Sequence, residues 1–187
     1  MKVNNGTKFG GYGALGAALA ALFFVGGCLG EEEEEPELES IELLGPATIA
    51  TGWNQLLQDI AFAEDQFLTF KGVRALAMMH IAQHDAINAI LPLYGSYVFH
   101  GLNPLADCTA AAAQAAHDVA FNQYTAAGQR AQIDSLLASQ LAGVLPGPLK
   151  TAGISIGQQA AAAILANRQG DGFDVVGSYT FVPGLGN

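Results

Sequence analysis

Between residues 71 and 91 the chain is apolar on almost every side, with Arg74, His80, His84, Asp85 and Asn88 set into it. Such a pattern predicts one long helix from Lys71 to Leu91, ended by Pro92 and placed at the centre of a helical domain. The flanking breakers fall at helix-scale intervals. Trp53 to Phe62 reads as a short helix with Thr51 as its N-cap candidate. Residues 93 to 106 read as an irregular loop, after which Asp107 or Thr109 starts a helix reaching Ala127, with Gly128 as its stop. In Arg130 to Val144 the apolar residues Ile133, Leu136, Leu137, Leu141 and Val144 recur at helical spacing, which predicts a clean amphipathic helix. A last helix from Leu149 to Arg168 carries Gly153, Gly157 and Ala161 as a stripe of small residues that lets a neighbour approach closely; Gly170-Asp171-Gly172 ends it. Residues 173 to 187 read as an extended tail. The pattern is that of an all-α bundle of about five helices occupying residues 45–187.

The N-terminus has a different character. Lys2 and Lys8 precede an uncharged run from Gly10 to Gly27, and Val25-Gly26-Gly27-Cys28 closes it. This is the layout of a secretory signal over residues 1–27, and its last four residues resemble a bacterial lipobox. The resemblance implies acylation of Cys28, export, and lipid attachment to a membrane of the bacterial cell envelope. A retained membrane helix is the competing reading, since a run of that length could just span a bilayer; its six glycines argue against it. If Cys28 is lipidated, Cys108 is a lone thiol, most simply a small buried residue, and no disulfide framework exists.

Glu31 to Glu35, with Glu37, Glu39 and Glu42, makes residues 28–44 an acidic tether, a solvated spacer that holds the domain off the membrane. It takes eight of the 17 carboxylates, leaving nine in the domain against Lys71, Arg74, Arg130, Lys150 and Arg168. A domain near −4 with no basic stripe does not suit nucleic acid.

Few side chains have a catalytic look. His80 and His84 stand four apart on one helix face and are the metal-ligand candidates, with His117 or Asp118 as a third ligand from another helix. The Glu of a His-Glu-x-x-His zinc motif is missing. The face they share also carries Val73, Leu76, Ala77, Ile87 and Leu91, so satisfied core or interface histidines are the plainer reading. Asp85 needs partners if it is buried, from a neighbouring helix or from Arg130 or Arg168. Arg74 is placed to reach a loop carbonyl or a carboxylate.

Several of these features occur in one order: Trp53-Asn54, Arg74-Ala-Leu-Ala-Met-Met-His80 running into His84-Asp85-Ala-Ile-Asn88, Tyr94 with Tyr97, the Ala-rich stretch from Ala110 to His117, Gly153 with Gly157, and Arg168-Gln-Gly-Asp171-Gly172. The series resembles the N-terminal helical half of bacterial vanadium-dependent haloperoxidase-like proteins, in the superfamily that includes the type 2 phosphatidic acid phosphatases. It covers residues 50 to 184. The resemblance implies a vanadate cofactor in a complete member, peroxide-dependent halide oxidation or a related phosphatase activity, and an anion cradle of Lys, Arg, Ser, His and main-chain N–H groups. The family carries that cradle in an Arg-Pro motif, a Pro-Ser-Gly-His motif, and an Arg followed by Gly-x-His. None of the three occurs in the 187 residues, and no His follows His117. No catalytic or cofactor-binding residue is therefore carried over, and the chain reads as a scaffold inactive alone, its catalytic half missing or truncated away. Its expected partners are the membrane through Cys28, that catalytic half, or further copies of itself. From another class comes the alternative of a self-standing helical envelope lipoprotein with a binding or structural role.

Overall fold

Polar side chains at two helix starts set the frame of the bundle. The computed structural model describes residues 47–65, 69–178 and 180. Five helices occupy them: α1 Thr48–Asp65, α2 Phe70–Asn88, α3 Cys108–Gln123, α4 Ala127–Ala142 and α5 Pro148–Asn167, with no strand among the described residues. The expected all-α class is what is found. The signal segment and the Glu-rich tether lie outside the described residues, as does the tail beyond residue 180. Among the described residues no helix is long and apolar enough to cross a membrane.

Thr69 caps α2 by accepting the Gly72 N–H at 3.3 Å, and the Asp107 carboxylate caps α3 by accepting the Ala110 N–H at 2.7 Å. Each bond satisfies a donor that the first helical turn leaves without a partner. Pro148 opens α5, where its missing N–H costs nothing. Gly170, at φ 72°, turns the chain out of α5 as expected.

Several boundaries differ from the sequence reading, three of them for a visible reason. α1 begins at Thr48, so Thr51 lies inside it and its hydroxyl donates to the Ala47 carbonyl at 3.3 Å. α2 ends at Asn88, before Pro92 acts. α3 ends at Gln123 because Tyr124 turns extended (φ −119°, ψ 116°) and buries its side chain completely; Gly128 consequently falls within α4 rather than stopping α3.

The helices alternate in direction. The ends of α2 and α4 and the starts of α1, α3 and α5 meet at one end of the bundle. There the Asn103 N–H reaches the Ala89 carbonyl at 2.7 Å and the Asp107 N–H reaches the Leu149 carbonyl at 3.0 Å. Lys150 Nζ donates to the Leu141 carbonyl at 2.6 Å, and Gln140 Nε2 donates to the Ile49 carbonyl at 3.4 Å. α3 runs through the middle and touches every other helix, most extensively α5.

That contact depends on glycine. A Cβ on Gly153 would lie 2.4 Å from the Asp107 carbonyl oxygen, and one on Gly157 would lie 2.5 Å from the Ala111 oxygen and 2.9 Å from the Ala115 nitrogen. The small-residue stripe thus works as the sequence predicts, with Ala110, Ala111 and Ala115 as the facing surface. Trp53, Leu57, Met79, Val119, Tyr124, Ile133 and Ile164 fill the core around it.

α2 is central in that it packs on α1, α3 and α5, yet it is not buried all round. Its core side is Ala75, Met78, Met79, Ala82, Asp85 and Ala86. Val73, Ala77, His80 and His84 form an exposed strip, while Leu76 and Leu91 of the same expected core face are partly buried against the core, so that face is core only along its edge. The reason is geometric. In a helix apolar on nearly every side periodicity does not choose the inner face, and the alanine side wins because it permits the closer approach to its neighbours.

Candidate functional site

Three of the domain's five cations come together where α2, α3 and α5 border one groove of about 600 Å³. Lys71 and Arg74 enter it from the start of α2, Asn122 and Gln123 from the end of α3, and Leu165 and Arg168 from the end of α5, with Phe173 and Asp174 closing it. Arg74 is fixed on all sides. Its guanidinium donates to Gln123 Oε1 at 3.0 Å, to the Arg168 carbonyl at 3.1 Å and to Asp171 Oδ2 at 3.2 Å, and lies 4.7 Å from the centre of the Phe173 ring. The expected structural pairing of Arg74 with a loop carbonyl and a carboxylate is met by both.

The other cations are also engaged. Lys71 pairs with Glu64 at 2.8 Å and stands 4.9 Å from the centre of the Tyr124 ring. Arg168 donates to the Tyr97 hydroxyl at 2.6 Å. Asp171 is held below the usual carboxylate range, first by accepting the Phe173 N–H and then by Arg74. Cations and carboxylates balance, and no histidine lines the groove. As chemistry this is a polar lock joining the start of α2 to the end of α5.

The histidines go elsewhere. His80 is exposed and hydrogen-bonds Asn54 Oδ1 at 3.1 Å; His84 is exposed and bonds the Gly95 carbonyl at 3.0 Å and the Asn88 amide at 2.9 Å. Both are therefore satisfied, but as surface rather than core residues. Among the described residues no three His, Cys, Asp or Glu side chains gather as a metal site, and His117, the suggested third ligand, belongs to a different cluster.

In that cluster His117 Nδ1 meets Asp118 Oδ1 at 2.8 Å and Nε2 meets Asp134 Oδ1 at 2.9 Å, while its ring stacks on Phe121 and meets Trp53 edge-on. Burial acts to lower the His117 pKa, the two carboxylates outweigh it, and the result lies above the ordinary histidine value. The Asp134 contact was not legible in the sequence; the only cue was that α3 and α4 form a tight helical hairpin.

Asp85 is the most demanding buried group. It is 1% exposed, and its oxygens accept the N–H groups of Tyr97, Val98 and Phe99 at 2.7, 2.8 and 2.8 Å. Neither Arg130 nor Arg168 pairs with it, contrary to expectation. Arg130 instead lies 4.1 Å from the Phe121 ring centre and donates to the Phe121 and Tyr124 carbonyls at the end of α3. Asn88 helps Asp85 by accepting the Tyr94 N–H at 3.2 Å. The loop from 94 to 99 is thus nailed to the last turns of α2, and the three converging amides occupy the Asp85 carboxylate in a structural role. Cys108 is buried and its thiol is pushed up by burial and by neighbouring Asp107, which keeps it protonated and unreactive at neutral pH.

Compared with protein-family models, with curated proteins and with solved structures, the chain matches none.

Proposed function

We propose that this chain is the N-terminal scaffold portion of a lipid-anchored, vanadium-dependent haloperoxidase-like protein of the bacterial envelope, without turnover of its own. One observation supports the reading above others: the residues that carry the resemblance interlock with one another as architecture. Arg74 grips Arg168 and Asp171, Asp85 grips the Tyr97 segment, and Gly153 and Gly157 seat α5 on α3. A colinear series that encodes a framework behaves in this way, whereas a catalytic series would converge on a pocket with free polar groups.

The residues present do not fit vanadate. The cationic groove is charge-balanced by Glu64, Asp171 and Asp174 and has no histidine to ligate the metal-oxo centre. The anion cradle of an active enzyme would come from residues outside these 187.

Two measurements test the proposal. Sequencing the gene past the Asn187 codon should reveal Arg-Pro, Pro-Ser-Gly-His and Arg-plus-His motifs; an ordinary intergenic region would favour the self-standing envelope lipoprotein. The purified chain with vanadate, peroxide and bromide should oxidise no halide above a boiled control, and clear turnover would place the site within this domain.

A further inference from the structure

The partners of Arg74 are of two kinds. Gln123 Oε1 at the end of α3 and the Arg168 carbonyl at the end of α5 belong to the helical frame and set the guanidinium in place. The third partner does not. Asp171 comes from a strap, residues 170–174, that is exposed throughout, and it stands between Gly170 at φ 72° and Gly172 at φ 84°. Glycine adopts such angles at little cost, and a Cβ on either would meet nothing within 4 Å, so no neighbour packs the strap there. The contact it makes is also loose. Asp171 Oδ2 accepts a single N–H of Arg74 at 3.2 Å, longer than the about 2.7–2.9 Å of a tight charge-assisted bond, and its other oxygen accepts the Phe173 N–H. Phe173 in turn lays its ring 4.7 Å from the guanidinium. One short strap thus offers Arg74 a carboxylate and an aromatic face together.

We infer that the groove is a binding site for a small aromatic carboxylate, and that the strap closes it by holding Asp171 and Phe173 against Arg74 in the ligand's place. The ligand's carboxylate takes the guanidinium edge that Asp171 occupies, and its ring takes the cation-facing position of Phe173. Charge favours the exchange. With Asp171 withdrawn, Lys71, Arg74 and Arg168 face only Glu64 and Asp174, an excess of one positive charge in an acidic domain. The groove, about 600 Å³, has room for such a molecule, and Met78 and Leu165 give its ring an apolar lining. Arg74 is the anchor because two frame acceptors already orient it, so little freedom is lost on binding. The inference does not rest on the scaffold reading, since binding here needs neither turnover nor the missing anion cradle. A closed strap lowers the observed affinity by the fraction of molecules in which it is open.

The test titrates the full chain with phenylacetate, and with uncharged phenylacetamide as the control, while NMR follows the Arg74 side-chain N–H signals. Asp171→Asn removes the competing charge, and its side-chain oxygen can still accept the Phe173 N–H, so the turn is kept. The acid, and not the amide, should shift the Arg74 signals. It should bind Asp171→Asn at least about tenfold more tightly than the natural chain. In the natural chain its binding should quicken hydrogen exchange at the Phe173 amide, because the strap must leave. No Arg74 shift in Asp171→Asn, with the Tyr97, Val98 and Phe99 amides still protected, overturns the site. Equal affinity of the two chains overturns the closing role of the strap and with it the inference. Equal binding of acid and amide assigns the effect to the apolar lining alone and overturns it as well.

Discussion

α3 and α4 are the same length and adjoin in the chain, yet they are held in opposite ways. α3 is largely alanine and buries ten of its sixteen residues; α4 carries Ile133, Leu136, Leu137 and Leu141 at helical spacing and buries Ile133 alone. Leu136, Leu137 and Leu141 of α4 are only half-buried. What α4 lacks in burial it partly recovers in directed bonds, through Asp134 to His117, Gln140 to Trp53 and Arg130 to the end of α3. The difference teaches that burial in this bundle follows how closely backbones can approach, not how large a helix's apolar side chains are. Small residues on α3 and α5 allow contact between main chains, whereas leucines on α4 keep it at side-chain distance.

Breaking the tight side of the comparison should have the largest effect. Gly157→Ala sets a methyl against the Ala111 oxygen and the Ala115 nitrogen, atoms of backbone that cannot rotate away. The expected loss is about 3 kcal/mol, read as a lower urea midpoint. Gly128→Ala in α4 is the control, because its Cβ would meet nothing within 4 Å. There the alanine should be neutral or stabilise by about 0.5 kcal/mol. Equal destabilisation by the two substitutions would refute the account of packing by close approach.

The next effect concerns the loop rather than a helix pair. Asp85→Asn keeps the shape but replaces one carboxylate oxygen with an NH₂ that faces amide donors. A loss of about 2 kcal/mol is expected, together with faster hydrogen exchange at Tyr97, Val98 and Phe99. Unchanged exchange at those three amides would show that the loop is held by its apolar side chains.

Much of this architecture could be read in advance, for identifiable reasons. Gly153 and Gly157 announce a close approach because glycine at a four-residue interval on a helix has few other uses. Asp107 announces a start because a carboxylate just before an alanine run can cap it. The inner face of α2 could not be read, since apolar residues occur on nearly every side of it and only the neighbours choose among them. Asp85 was recognisable as a group needing partners, but those partners are main-chain amides, which every residue carries and no residue type reveals. The candidate site was legible to the same degree. Arg74, Arg168 and Asp171 stand out as residues, while their charge balance with Glu64 and Asp174 emerges only once α1, α2 and α5 are packed.

The smallest predicted effect sharpens the weak side of the comparison. His117 is the ionic tie between α3 and α4, facing Asp118 from its own helix and Asp134 from α4, with uncharged Trp53 from α1, while Arg130 lies against the Phe121 ring on which His117 stacks. Its pKa in the folded chain is raised. The stability it contributes is therefore complete below the unfolded value of about 6.5 and is lost as pH rises through the folded value. Asp134 is 59% exposed, and solvent screening holds the contribution below about 1 kcal/mol. Between pH 6 and 8.5, short of the range where the buried Cys108 thiol matters, the urea midpoint should fall slightly and hydrogen exchange should quicken in α4 before α3 or α5. His117→Gln should remove that part of the pH dependence. A variant that keeps the full slope would show that α4 is held by Ile133 and Gln140 without the histidine, and the contrast between the two helices would then be one of packing alone.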